Sequence, residues 1–126
     1  GVQTCALPIC GRRIPRNAFR GTPRMYASDT QARRWAERAL GQGLDRQVED
    51  ALRLFFYLPF AHAENLADQD RSVALNHGLG QPFLAHAREH REIIRRFGRF
   101  PHRNPILGRP SSAEELAFLA AGGFAG

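Results

Sequence analysis

Two short stretches of this chain carry the side chains best suited to recognition chemistry. Pro15-Arg16-Asn17-Ala18-Phe19-Arg20-Gly21 lies near the start, and Arg99-Phe100-Pro101-His102-Arg103-Asn104-Pro105 lies near the end. Each sets an arginine and an asparagine beside an aromatic ring in a proline-anchored turn. A guanidinium offers a planar fork of donors that suits a carboxylate or phosphate, and an asparagine amide both donates and accepts. Arg16 and Asn17 from the first signature, with Arg99, Arg103 and Asn104 from the second, are therefore the candidate ligand-binding residues. The same groups suit a second role, a polar clamp that ties the loops to Glu64 or Asp68.

Candidates for proton transfer are His62, Glu64 and His102. His62-Ala63-Glu64-Asn65 places an imidazole two residues from a carboxylate, the pairing a general acid or base requires. Glu64, Asp68 and Arg71 follow at i, i+4 and i, i+3 spacing, which permits an ion-pair ladder on one helix face. Glu64 equally suits neutralising a signature arginine. His86 and His90 stand four apart with Glu89 beside them, but a zinc-protease helix needs its glutamate directly after the first histidine, and Ala87 stands there. His90 reads as a structural histidine, and no metal or cofactor is assigned. A phosphate-binding glycine loop, a dinucleotide fingerprint and a G-x-S-x-G elbow are all missing from the sequence, so the commonest enzyme classes lose support.

The elements that must position these groups are helical. Residues 10–27, punctuated by Pro15, Gly21 and Pro23, read as an irregular lead-in. Ser28 and Gln31 suggest a capping box for a first helix over 29–41, stopped by Gly41 and Gly43. Asp45 is expected to cap a second helix whose stripe is Val48, Ala51, Leu52, Phe55 and Phe56, with a break at Leu58-Pro59. A third helix over 65–77 carries Leu66, Ala67, Val73, Ala74 and Leu75. The fourth runs from Pro82 to Phe97, with Phe83, Leu84, Ala87, His90, Ile94 and Phe97 on its inner side. Ser112 and Glu115 form a second capping box for a last helix. No segment alternates for long in the manner of a strand, so the fold class is all-α, with antiparallel neighbours joined by short loops.

The chain has 126 residues, 43% of them hydrophobic, which fits one domain. Its net charge of +6 comes from 18 basic residues, all arginine, against 12 acidic ones. An arginine-only complement reflects nucleotide composition as readily as selection, though the charge still favours anionic partners. Seven arginines lie between Arg12 and Arg34 with one acid, Asp29. That stretch has no regular helix face, zinc frame or interleaved aromatics, so it does not read as a nucleic-acid surface. Residues 1–9, Gly1-Val2-Gln3-Thr4-Cys5-Ala6-Leu7-Pro8-Ile9, look like the conceptual translation of a sequencing-library adapter joined to a truncated gene, leaving 10–126 as one helical domain. Setting them aside leaves Cys10 alone, with no disulfide frame, and a reducing cytoplasmic setting is the expectation. No apolar run has the length of a membrane span.

Four stretches together resemble a known family. They are Ile14-Pro15-Arg16-Asn17 through Ala27-Ser28-Asp29; Phe55-Phe56-Tyr57-Leu58-Pro59-Phe60-Ala61-His62-Ala63-Glu64; Leu66-Ala67-Asp68-Gln69-Asp70-Arg71-Ser72-Val73-Ala74-Leu75; and Arg96-Phe97-Gly98-Arg99-Phe100-Pro101-His102-Arg103-Asn104-Pro105-Ile106-Leu107-Gly108. The chain resembles the bacterial family called domain of unknown function 924. The resemblance implies a helical array similar to tetratricopeptide repeats, although no 34-residue consensus repeat is visible here. It also implies an aspartate and glutamine before the first proline motif, preceded by an apolar helix. Arg12 and Arg13 stand at those two positions, so the resemblance implies a longer family member.

The resemblance supplies no catalytic assignment. The functional expectation is a cytoplasmic helical scaffold or binding module with a polar groove for a peptide or a small anionic ligand. The alternative is a small hydrolase or transferase acting on an anionic metabolite, with His62 or His102 carrying the proton. The first reading expects Arg16, Arg99, Arg103 and Glu64 to line one groove, Asn17 to approach Asn104, and Glu64 to face a signature arginine.

Overall fold

A computed structural model describes residues 16–126. The adapter-like reading of residues 1–9, and the lead-in before Arg16, lie outside the described residues. Residues 16–18 are helical, a departure from the irregular lead-in expected over 10–27, and among the described residues six helices follow: α1 (Asp29–Gly41), α2 (Asp50–Ala61), α3 (Leu66–His77), α4 (Phe83–Phe97), α5 (Asn104–Leu107) and α6 (Ala113–Ala120). Single 3-10 turns lie at Pro23–Tyr26, Leu44–Gln47 and Pro101–Arg103. Among the described residues there is no strand. α1 packs on α2, α2 on α3 and α3 on α4, giving an antiparallel helical array.

Several starts and stops match the expected punctuation. α6 opens on a complete capping box: Ser112 Oγ accepts from the Glu115 amide at 3.1 Å, and Glu115 accepts from the Ser112 amide at 2.8 Å. Asn65 caps α3 by accepting from the Asp68 amide. Gly98 ends α4 with φ of 70°, a conformation that glycine adopts without a Cβ penalty.

Other expectations are corrected. Ser28 has helical backbone angles and makes no side-chain cap, so no box forms with Gln31. Asp45 caps nothing; it sits buried in the Leu44–Gln47 turn and accepts from the Tyr57 hydroxyl at 2.9 Å. Pro59 does not break α2, which continues to Ala61. The proline lies in the last turn with only Phe60 and Ala61 of the helix after it, so little helix remains to be disrupted, and its side chain is buried with theirs. The second signature is not all loop either, since Asn104 begins the short α5.

The core has two centres. Ala39, Phe56 and Tyr57 pack with Leu40, Leu44, Val48, Leu75 and Leu79. Ile93, Ile94 and Phe100 pack with Phe97, Phe118 and Phe124. Leu52, expected inside, is exposed. α3 turns its polar side inward: Asp68, Gln69, Ser72 and Asn76 are buried, while Leu66, Ala67 and Ala74 are exposed. The reason is adjacent. Gln69 donates to the carbonyls of Ala61 and Ala63, both at 2.8 Å. The first ends α2 and the second follows it in the turn to α3, so one side chain serves the carbonyls of that helix end.

Candidate functional site

The second signature is held by a network that crosses the chain. Glu64, at the turn between α2 and α3, accepts two bonds from the Arg109 guanidinium, at 2.7 and 2.9 Å, and a third from the Phe100 amide at 2.8 Å. Burial would raise its pKa. The bonds from Arg109 and Phe100 and the charge of Arg109 outweigh that, so the carboxyl lies below its usual range. Glu64 is thus an ionised anchor with no proton to donate near neutrality.

Beside it, Arg109 Nε donates to Asn104 Oδ1 at 3.0 Å, and the fully buried Asn104 donates to Ser111 and to Glu115. Arg99 completes the cluster with a forked pair to Glu115, at 2.7 and 2.9 Å, and a bond to the Pro110 carbonyl. These bonds from Arg99, with those from the Ser112 amide and Asn104, pull the Glu115 carboxyl down to about 2. Arg99 and Asn104 therefore work as a clamp, but onto Glu115 and not onto Glu64 or Asp68. The carboxylates of the expected ladder pair across elements: Asp68 with Arg33, and Glu64 with Arg109. Arg71 pairs with Glu37 on α1.

The two signatures meet at Tyr26. The Arg16 guanidinium stands 4.9 Å from that ring's centroid and the Arg103 guanidinium 4.6 Å from it. Arg16 also pairs with Asp29 at 2.7 Å, and the buried Arg103 donates to the His62 carbonyl at 2.9 Å. Arg16, Asn17, Arg20 and Tyr26 line a cleft of about 560 Å³ together with Phe55, Leu58, His102 and Ile106. The asparagines do not join one another through their side chains. Asn17 is exposed and accepts from Arg20, whereas Asn104 is buried in the Glu115 cluster. Arg99 and Glu64 do not line this cleft; Glu64 and Arg103 line a smaller one with Tyr26 and Asp68.

The histidines are packed as aromatic rings. His102 lies 5.2 Å from Phe124 and 5.8 Å from Phe100. Burial, aided by the charges of Arg103 and Arg16, pushes its imidazole down to about 4. A base that weak accepts protons poorly at neutral pH, which removes support from His102 as a proton carrier. His62 donates Nδ1–H to the Leu58 carbonyl at 2.9 Å, one turn back on α2. His90 is buried between His62 and Phe124, whereas His86 is exposed. Among the described residues no three histidine, cysteine or carboxylate side chains converge as a metal site. No helix of the described chain is long and apolar enough to cross a membrane.

Sequence spacing exposed half of this geometry. It marked the signatures, Arg20 among them but not as a binding residue, and it missed Arg109, Glu115's second role and Tyr26. Arg109 lies 45 residues from Glu64, beyond any local periodicity, and only its place directly after Gly108 and before Pro110 hints that its backbone is fixed.

Comparison with known proteins agrees with the fold. No curated protein matches the chain. A solved structure of a protein of unknown function from Agrobacterium tumefaciens is similar at a TM-score of 0.90 and 51% identity, over 94% of this chain and 67% of that one. The family described as "Bacterial protein of unknown function (DUF924)" matches residues 2–123. The paired proline signatures, the all-helical array and that match together show that the chain belongs to the DUF924 family.

Proposed function

We propose that this protein is a cytoplasmic binding module, built on a tetratricopeptide-like array, that takes a small organic anion in the cleft between its two signatures. The observation that carries this reading is the lining of that cleft. Arg16 and Arg20 line it together with the apolar Phe55, Leu58 and Ile106. That combination suits a carboxylate or phosphate attached to an apolar body. The Glu64, Arg109, Asn104, Glu115 and Arg99 network holds the second signature rigid behind the cleft, which lowers the ordering cost of binding.

Calorimetric titration of the full chain with benzoate and with inorganic phosphate tests the reading. Benzoate is expected to bind, and Arg20→Ala, at an exposed position, to weaken it about tenfold, the loss of roughly 1.4 kcal/mol typical of a charge-assisted bond. Arg103→Ala is expected chiefly to lower Tm. If neither anion binds at millimolar concentration, or if Arg20→Ala binds benzoate as the parent does, the anion site does not exist.

A further inference from the structure

The smaller cleft, of about 290 Å³, opens where the start of α1, the turn between α2 and α3, and the second signature meet. Its charged lining residues among those described are Asp29, Arg33, Glu64, Asp68 and Arg103, so both signs are present. Three of these groups are already committed. Glu64 holds Arg109 with both oxygens, Asp29 pairs with Arg16 through Oδ2 while its Oδ1 is closed off, and Arg33 bonds to Asp68 and Glu37.

The other two keep an atom to spare. Arg103 is 5% exposed, and an arginine that deep ordinarily has a carboxylate partner. Among the described residues it has none at ion-pair distance; Glu64 and Asp29 act on its charge only from farther away. Its Nη2 donates to the His62 carbonyl at 2.9 Å and its Nε is closed off, which leaves Nη1 without an acceptor and not closed off. Asp68 is 6% exposed, and its Oδ2 accepts from Arg33 Nε at 2.7 Å. Its Oδ1 has no donor and is not closed off either. Two nearly buried groups of opposite charge thus line one cleft, each with an open atom, and no ion pair joins them. A molecule that carries both charges satisfies both at once.

We propose that this cleft binds a free α-amino acid with an apolar side chain. Its carboxylate meets Arg103 Nη1, its ammonium meets Asp68 Oδ1, and its side chain lies toward Pro59 and Leu107, which also line the cleft. A lone anion would meet the carboxylates of Asp29, Glu64 and Asp68, and a lone cation would meet Arg33 and Arg103, so neither suits the lining. The volume falls just below the ordinary small-molecule range, which begins at about 300 Å³, and limits the guest to that scale. A site built on buried charges rejects an analogue that lacks either partner, because a charged group then stays unpaired.

Leucine, 4-methylpentanoate, which lacks the amine, and 3-methylbutylamine, which lacks the carboxylate, are the probes. Binding to the full chain is read by NMR at the backbone amides of Asn65 and Asp68, which separates this cleft from the one that takes benzoate. Leucine is expected to bind about tenfold or more tighter than either analogue, the size of one charge-assisted bond. Arg103→Gln should bring leucine to within about twofold of 3-methylbutylamine. If that variant does not fold, Asp68→Asn supplies the mirror comparison and should bring leucine to within about twofold of 4-methylpentanoate. Thr30→Trp, at an exposed lining position, should obstruct the cleft and weaken leucine about tenfold or more. Leucine affinity should be the same with and without benzoate, so failure of the anion site leaves this result standing. Equal affinity for leucine and either analogue, no shift at those amides up to the solubility limit of leucine, survival of the preference in the charge variants, unchanged affinity in Thr30→Trp, or competition by benzoate would each overturn the proposal.

Discussion

Glu64 and His102 show how little a residue's type says until its neighbours are known. Both are textually plausible proton carriers, yet one is locked as an anion under Arg109 and the other is held neutral among rings. Their titration predicts the acid behaviour of the protein. The folded His102 imidazole lies at about 4 and the unfolded one near its ordinary 6.5, so the unfolded chain takes up a proton first as pH falls. Stability is therefore complete above about 6.5 and declines toward pH 4, with His90 contributing in the same direction. Below about 4.5 the carboxyls of Glu115 and Glu64, both depressed, add a second decline that extends toward pH 2. Thermal melts across pH 3–8 should show Tm flat above 7 and falling below 6.5. His102→Asn should flatten the limb between 6.5 and 4 and leave the lower one. A profile unchanged by that substitution would contradict the burial of this imidazole. The sequence marked both groups as worth attention, but their charge states depend on Arg109, Arg103 and Phe100, which reach them through the fold and not through spacing.

At the scale of elements, α3 is the instructive case. Its boundaries were readable, since Asn65 is a good cap and His77 precedes two glycines separated by one residue. Its orientation was not. Hydropathy favours burying Leu66, Ala67 and Ala74, whereas the chain buries Gln69, which serves the carbonyls ending α2. The order of mutational costs should follow the hydrogen bonds. Gln69→Leu, close to isosteric but without donors, is expected to cost about 1–3 kcal/mol by removing the buried donor that the Ala61 and Ala63 carbonyls share. Leu66→Ala, at an exposed site on the same helix, should fall within about 0.5 kcal/mol of the parent. Urea unfolding of the two variants decides it, and a larger loss in Leu66→Ala would reverse the assignment of faces. The same limit explains Asp45: aspartate before a helical pattern is a sound cap signal, but Tyr57, twelve residues on, claims its carboxylate across the turn.

Across the whole molecule, the all-α class and the order of the long helices were legible because periodicity and glycine stops are local. The meeting of the first signature with the second at Tyr26, and the bonds that bring residue 109 back to residue 64, were not, because they are set by packing. The interior that results is unusually mixed. Among the described residues, nine polar or charged side chains are buried beside fourteen apolar ones, of which five are alanine and two proline. Unfolding such an interior hydrates much polar surface, which lowers the heat capacity that apolar exposure raises. Scanning calorimetry should accordingly give an unfolding heat-capacity increment below the usual 12 cal/mol/K per residue or so, and a value at or above about 15 would mean the polar interior is not what the melt exposes. The inward-facing polar side of α3 thus reaches beyond packing: it flattens the dependence of stability on temperature, so the protein should lose little of its margin on either side of its optimum.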